Sequence, residues 1–473
     1  MKLVAGVDSS TQSCKATIRD VNTGAIIRIG RSTHPVATQV NPERWWNALL
    51  EAFIGAGGLA DVDAISIGAQ MQGMICLDKD GRVIRDAMLW NDTSCAPSII
   101  ALNEELGFEE WIRRTGCPLV VASTVAKARW LRDNEPENAE RTAAICLPHD
   151  YLTWRLRGFG PENPKLDELT TDRSDASGTG YWSAEKDCWD EELLEIGLGK
   201  RVILPKILGP RDSAGVTGHG LPGIPPGIPL GVGGGDNALG ALALGLEVGD
   251  GIMSLGTSGT VFARANRVIN DPSGIVSSYA DCTGDLLPMA ATLNAARDLD
   301  AATRILGRDH DEISFLARRC EPGAGGITLL PYFEGERTPS IPTARASIHG
   351  LSLENATPRN LARAFVEGMV CGMVVALDAV TDLGIPINRL FVIGGAARNR
   401  AVQQILTQVT PIPVVIPDPS EYVTVGAAMQ AVAAVTGEFP TWEHEYFEVP
   451  SFGSHPEIME QHIAAKKALG YPV

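Results

Sequence analysis

The sequence predicts an α/β protein made of two similar halves, and three observations predict it. Towards the C terminus, strands end in glycine turns that lead into helices: 389–393 is apolar, 394–398 is a Gly/Ala turn, and 399–409 has helical spacing. At the N terminus, 2–7, 8–15 and 16–19 read as strand, polar turn and strand, and 252–255, 256–259 and 260–263 repeat that layout. Four turns rich in glycine or hydroxyls, at 8–13, 231–238, 256–259 and 394–399, each follow an apolar strand, where open sheets bind their ligands.

In chain order, a turn at Asn22, Thr23 and Gly24 leads to a third strand over 25–31. Pro42 opens a helix over 42–53, with Trp45, Trp46 and Leu49 at helical spacing. Residues 64–68 form a buried strand leading into Ala69, Gln70, Met71, Gln72 and Gly73; 74–77 with the turn at 78–81 looks like a hairpin. Helices are expected over 96–106, 109–115, 125–134 and from 147 to 156, and the Ser/Thr/Asp/Gly-rich stretch 170–180 is expected as a loop. The Pro/Gly-rich run 221–229 is linker-like and leads into an apolar strand, Gly233, Gly234, Gly235, Asp236 and a small-residue helix over 239–246. Thr357 caps a helix whose first residue is Pro358, running to about 383 before Gly384. A strand at 413–416 precedes a helix over 422–435 with Gly426, Ala427 and Ala428 on one face. Past Phe439 the chain is Glu- and Pro-rich, then helical over 457–469, a tail with no expected role beyond packing. The expected domains are 1–240 and 241–473. The edges of the small-residue helices are the candidate surface for a homodimer.

Composition narrows the function. With 44% hydrophobic and 21% charged residues the chain is globular, and a net charge of −17 argues against nucleic acid or an anionic membrane as partner. A polyanionic ligand must then be held by backbone amides or Mg²⁺. Nine scattered cysteines without C-x-x-C spacing suggest reduced thiols and a cytoplasmic location. His444 has no metal-spaced partner and H-E-x-x-H is absent, so zinc is not expected. The apolar start ends at Asp8, too short for a signal peptide, and runs such as 368–377 are too short to span a membrane.

Asp236 is the carboxylate singled out by its glycine turn. It is placed either to take a proton from a group in a cleft or to cap the following helix, and the stretch alone balances the two evenly. Glycine turns supply free N–H groups for phosphate, although any one of them taken singly is more often a hairpin. A P-loop is excluded, because Gly199 and Lys200 are followed by Arg201. Residues 233–238 match the dinucleotide pattern G-x-G-x-x-A, but Asp236 would then face a pyrophosphate, where like charges ~4 Å apart repel by about 4 kcal/mol. Asp8 stands beside hydroxyls and could hold Mg²⁺, directly or through water, or cap its own turn. With Thr11 and Ser13 it could face Thr257 and Ser258 of the second half as a phosphate clamp. Gln70, Met71 and Gln72, with Trp90, Asn91 and Asp92, combine amides, a carboxylate and an aromatic face, a mixture that suits a polyol or sugar, although core packing is the commoner fate of a Trp.

Taken in order along 3–437, these stretches resemble the FGGY family of carbohydrate kinases, in the actin-like ATPase superfamily. The resemblance also rests on Lys127-Ala-Arg-Trp-Leu131, Ser174-Asp-Ala-Ser-Gly-Thr179, Leu330-Pro-Tyr-Phe-Glu-Gly-Glu-Arg-Thr-Pro339, His349-Gly-Leu351 and Ala364-Phe-Val-Glu-Gly368. It implies two ribonuclease H-like domains with a catalytic cleft between them, the N-terminal one binding sugar and carrying the first phosphate turn, the C-terminal one binding ATP. It implies Asp236 as the base that deprotonates the sugar hydroxyl and Asp8 as the acidic residue near Mg²⁺. Thr11, Gln12, Ser13, Gly256, Thr257 and Ser258 would hold phosphate, and Gly394, Gly395, Ala396 and Asn399 would hold adenosine. Met71, Gln72, Asp92 and Asn237 would contact the sugar. The reaction implied is ATP- and Mg²⁺-dependent phosphorylation of a terminal ketopentose hydroxyl, D-xylulose first, with ribulose, gluconate and glycerol as alternatives. A non-catalytic sugar or nucleotide sensor on the same fold, and a dinucleotide-dependent dehydrogenase, are the rivals from other classes. The chain departs from the family at Gln72, where His is usual, at Ala396 in place of a third glycine, and at Ser9 and Ser10 in the first turn.

Overall fold

In the computed structural model, which describes residues 2–443 and 445–472, the chain divides into two units. His444, considered above as a metal ligand, lies outside the described residues. The first unit is Met1–Leu246 with Ser278–Leu286 and Ser420–Glu443; the second is Glu247–Ser277, Leu287–Pro419 and His444–Val473. The single cut expected between 240 and 241 does not contain these two returns.

The first unit opens as the sequence indicates. Strands Leu3–Ser9, Ser13–Asp20 and Ile26–Thr33 form an antiparallel meander. Leu3–Ser9 then pairs in parallel with Ala64–Ala69, a pairing that demands a crossover. Helix Pro42–Gly55 supplies it: Asn41 accepts from the Glu43 amide, Pro42 occupies the first turn, and Trp45, Trp46, Leu49 and Phe53 are buried. Strands Pro229–Gly231 and Gly234–Gly235 both lie in parallel beside Ala64–Ala69.

Two stretches differ from expectation here. Ile75–Leu77 pairs along its length with Ala144–Cys146, and the expected hairpin is short: a Leu77 to Val83 bridge, with the Asp78 amide donating to the Arg82 carbonyl and the Ile84 amide to that of Cys76. Of residues 170–180, expected as a loop, only 178–180 are irregular; the rest has regular structure. Residues 170–177 form strand Thr170–Asp172 and helix Arg173–Ser177, because the Asp172 carboxylate accepts from the Ser174 and Asp175 amides and starts a helix.

Helix Tyr422–Thr436 explains the return of the chain to the first unit. A Cβ built on Gly6 would stand 1.9 Å from the Thr424 carbonyl oxygen, and one on Gly426 would stand 2.1 Å from that of Leu239. The backbones of this helix, of strand Leu3–Ser9 and of helix Asp236–Ala243 therefore pack together without intervening side chains. The small-residue face of this helix is turned into the core, with Gly426, Ala427, Ala428, Ala431 and Ala433 buried.

The second unit repeats the plan. Leu286–Thr292, Gly259–Ala263 and Asp250–Leu255 are antiparallel, Asp250–Leu255 pairs in parallel with Arg389–Ile393, and that strand pairs in parallel with Val414–Pro417. Thr357 accepts from the Asn360 amide and starts helix Pro358–Thr381. This helix is long and apolar enough to cross a membrane, but it is a core helix: Phe365, Met369, Met373 and Leu377 are buried among Met253, Val261, Leu390 and Ile405. No disulfide forms among the described residues, and Cys188 alone of the nine cysteines is exposed.

Gly426→Ala should lower stability by about 1–3 kcal/mol through overpacking against Leu239. Gly240→Ala, on the partner helix with nothing within 4 Å of the added Cβ, should instead gain roughly 0.5–1 kcal/mol of helix propensity. Urea unfolding of both variants checks the pair.

Candidate active site

Strand register brings the two singled-out carboxylates together. Asp8 stands opposite Gly68, and Gly235 stands opposite Ala69, so Asp8 and Asp236 emerge on either side of the Ala64–Ala69 strand at the same end of the sheet. Two strand spacings separate them, roughly 10 Å between backbones. Gly68 has no room for a side chain: its Cβ would lie 2.6 Å from Leu239 Cδ1.

Asp8 is buried and accepts a hydrogen bond from the Ser10 hydroxyl. Burial raises its carboxyl above the ordinary range, against the opposing effects of Ser10 and Lys15. Asp236 is the first residue of helix Asp236–Ala243, with Gly235 in the cap position, so it does not serve as the N-cap. Its Oδ1 accepts from the Asn237 amide at 2.8 Å and from Asn237 Nδ2 at 3.2 Å. The side chain is half-buried. Burial, then the charge of Asp8, push its carboxyl up to about 7.

The three glycines before Asp236 are there for close packing. Gly233 has φ +87° and passes the His149 ring so closely that a Cβ would lie 2.5 Å from Cδ2. A Cβ on Gly234 would meet Cys282 Sγ at 2.9 Å, and one on Gly235 would meet Met71 Cγ at 2.6 Å. The Gly235 amide donates to Ser174 Oγ at 3.0 Å. All three glycines are buried, so this turn is shaped to place Asp236 and not to cradle phosphate.

Under the turn lies a charge cluster that sequence reasoning missed. His149 Nδ1 bonds the Asp175 carboxylate, and Nε2 lies 3.2 Å from Asp150 Oδ1 and 4.0 Å from Asp172 Oδ1. All four side chains are buried. Burial pulls the imidazole down, but Asp150, Asp175 and Asp172 outweigh it and hold the ring at about 10, so it stays cationic at neutral pH. His149, Asp150 and Asp175 include metal-ligand types. With Nδ1 committed to Asp175, however, the imidazolium itself compensates the carboxylates. The only local signals were a His-Asp pair after Pro148 and the hydroxyl-rich stretch 170–180, and nothing in either says that they converge.

Met71 and Asn237 come together beside Asp236, and Gln72 follows Met71 in the chain. Asn237 Nδ2 lies 4.0 Å from Met71 Sδ, and Gln72 Nε2 donates to the Gly178 carbonyl and to the Tyr279 hydroxyl, each at 3.3 Å. Trp90 is 38% exposed and its Nε1 donates to Thr11 Oγ1 at 3.0 Å, so it is a surface group at this end of the sheet and not core. Asp92 accepts from Gln39 Nε2 at 2.7 Å and from Ser94 Oγ at 2.5 Å. Its carboxylate is thus engaged by its own turn through Ser94 and by Gln39 from a separate stretch of the chain. Ser9 Oγ and Gln70 Nε2 are buried here without a hydrogen-bond partner. Gln12 is exposed, and Ser13 begins the second strand.

In the second unit, Thr257 and Ser258 are exposed at the tip between Asp250–Leu255 and Gly259–Ala263. The Gly256 carbonyl accepts from the Ala296 amide, and that of Thr257 accepts from Arg297 Nε at 3.2 Å. Gly394, at φ +92°, follows the neighbouring parallel strand, where a Cβ would lie 2.6 Å from the Leu255 carbonyl oxygen. The 256–258 and 394–399 turns therefore sit side by side at the ends of parallel strands. Gly395 is exposed and Ala396 buried. Asn399 caps helix Arg400–Val409, its Oδ1 accepting from the Ala401 amide at 2.9 Å.

An antiparallel meander running into parallel strands, present in both units with polar turns at the strand ends, is the ribonuclease H-like fold of actin-like ATPases. The chain matches the N-terminal domain of the FGGY family of carbohydrate kinases over residues 3–243 and the C-terminal domain over 251–435. It is 42% identical over 448 residues to a xylulose kinase of Streptomyces rubiginosus, covering 93% of this chain and 89% of that relative. A xylulose kinase of Streptomyces coelicolor is also 42% identical, over 445 residues, covering 92% of this chain and 89% of that relative. The crystal structure of xylulose kinase from Bifidobacterium adolescentis superposes with a TM-score of 0.92 at 43% identity, covering 98% of this chain and 99% of that one. The chain belongs to the FGGY family of carbohydrate kinases and is a phosphotransferase that uses ATP on a sugar.

A carboxyl whose pKa rises from about 4 unfolded to about 7 folded stabilises the fold only in acid. That stability is complete below the unfolded value and is lost as pH rises through the folded one. Asp236→Asn, which keeps the bond to the Asn237 amide, should therefore raise Tm relative to the native chain at pH 8 and change it little at pH 4. Thermal unfolding at the two pH values checks this.

Proposed function

We propose that the protein transfers the γ-phosphoryl group of ATP to the terminal hydroxyl of a ketopentose, D-xylulose, giving D-xylulose 5-phosphate. The observation that carries the reading is Asp236: a half-buried carboxyl at about 7, beside Met71 and Asn237 and electrostatically coupled to Asp8. A base with this pKa is ionised at working pH yet basic enough to take a hydroxyl proton. The relatives that match over most of the chain are named xylulose kinases, which favours that sugar. Gln72 is uncharged, so it offers a hydroxyl both donor and acceptor but gives no counter-charge to the carboxylate of gluconate.

In this reading Met71, Gln72 and Asn237 orient the sugar with its terminal hydroxyl at Asp236, and Asp92 stiffens the neighbouring turn. The Asp236 carboxylate accepts the hydroxyl proton as the oxygen attacks the γ-phosphorus in line, and ADP leaves. Thr11, Gln12, Ser13, Gly256, Thr257 and Ser258 bind the phosphates, and Gly394, Gly395, Ala396 and Asn399 line the adenosine side. The Asp8 carboxylate and the Ser10 hydroxyl bonded to it offer oxygen donors only, the type a hard cation takes. Mg²⁺ held there through Asp8 would neutralise phosphate charge. The N-terminal part supplies the sugar site and the C-terminal part the nucleotide site. The buried, unbridged cysteines fit a cytoplasmic setting.

A sugar panel with coupled ADP detection should give D-xylulose the highest kcat/KM, above ribulose, gluconate and glycerol; a higher value for any of these three contradicts the assignment. Asp236→Ala should lower kcat by roughly 10²–10⁴-fold with ATP binding retained. For the native chain, kcat/KM should fall tenfold per pH unit below about 7.

A further inference from the structure

Lys127 is fully buried, in the first turn of helix Thr124–Asn134. That is the positive end of the helix dipole, where a cation is disfavoured, and a buried ammonium is disfavoured again by desolvation. Its Nζ donates to the carbonyls of Gln72 at 2.7 Å and Ala122 at 2.5 Å. Thr124 Oγ1 reaches the same Gln72 carbonyl at 3.4 Å. Gln72 has φ +66°, a left-handed backbone that non-glycine residues seldom adopt; among the described residues only Asp187 and Ala324 share it. Its side chain fits because Gly178 lacks a Cβ, which would lie 2.8 Å from Gln72 Cγ. Burial pulls the Lys127 ammonium down to about 7, with Cys95 and Asp92 opposing. A buried lysine so poorly placed for the helix, with one of its two bonds on the carbonyl of a strained residue, is a candidate for a role in the site.

We propose that Lys127 is a positioning residue for sugar recognition: its ammonium clamps the Gln72 carbonyl and so fixes the left-handed turn that presents Met71 and Gln72 to the ketose. The proposal rests on the reading of Met71 and Gln72 as sugar contacts. Without the clamp the peptide relaxes towards negative φ, and the Gln72 amide leaves Gly178 and Tyr279.

The test is steady-state kinetics of the full chain carrying Lys127→Met, Gln72→Gly or both, with D-xylulose and ATP varied separately. Glycine accepts positive φ unaided and has no side chain to aim. Lys127→Met should raise KM for the sugar roughly tenfold or more while KM for ATP stays within about twofold, and in the Gln72→Gly background it should add less than about twofold. The proposal is overturned if Lys127→Met costs as much in the Gln72→Gly background as in the native one, if it raises both KM values together, or if it changes neither. Should Lys127→Met not fold, Lys127→Gln, which keeps an N–H donor, decides: an intermediate, sugar-selective rise in KM supports the clamp, and a rise shared with ATP overturns it. If Gln72→Gly alone leaves sugar kinetics unchanged, the sugar-contact reading fails; if it raises KM while Lys127→Met does not, the clamp alone fails.

Discussion

The placement of a desolvated carboxylate, Asp236, within the field of a second one, Asp8, is the constraint on which the first unit depends. Left to itself such a pair would protonate or move apart. The fold holds both by backbone register, one on each side of the Ala64–Ala69 strand. Around them it has no room for side chains: Gly68 meets Leu239, Gly233 meets His149, and Gly235 meets Met71. Each glycine is thus tied to a particular neighbour, and together they fix the start of helix Asp236–Ala243.

The same constraint accounts for what lies further in. The His149 imidazolium, bonded to Asp175 and flanked by Asp150 and Asp172, keeps a group of buried acids from adding its full charge beneath the turn. Ser174, held by Asp172, receives the Gly235 amide. Helix Tyr422–Thr436 returns to back the strands that carry Asp8 and Asp236, and its Gly426 lets it approach Leu239. Stability is sacrificed at the carboxylates and recovered in this glycine-mediated packing, the pattern expected where a site overrides local preference.

Much of this was legible in the chain. Polar turns after apolar strands marked 8–13, 256–259 and 394–399, and the Thr357 cap and strand Arg389–Ile393 lie where their residues place them. These are local signals: caps, alternation and glycine at strand ends. What was not legible depends on distant partners. The hydroxyl-rich stretch 170–180 looked like a loop because its Asp172 cap and its packing under the glycine turn are invisible without the rest of the unit. Small residues on one face of helix Tyr422–Thr436 name no partner by themselves; the neighbours are Gly6, more than four hundred positions earlier, and Leu239. Asn399 carried a ligand role by resemblance, and its side chain is engaged as a helix cap. Lys127 read as one member of a motif, because nothing local reveals that its partner is the Gln72 carbonyl.

Burial and the charge of Asp8 hold the Asp236 carboxyl near neutrality, and carbon-13 NMR of the protein labelled at aspartate carboxyls reads that property at the atom concerned. The resonance that disappears in Asp236→Asn should titrate at about 7 in the native chain and move to lower pH in Asp8→Asn. An Asp236 resonance that titrates near the ordinary carboxyl value of about 4, indifferent to Asp8, would contradict it.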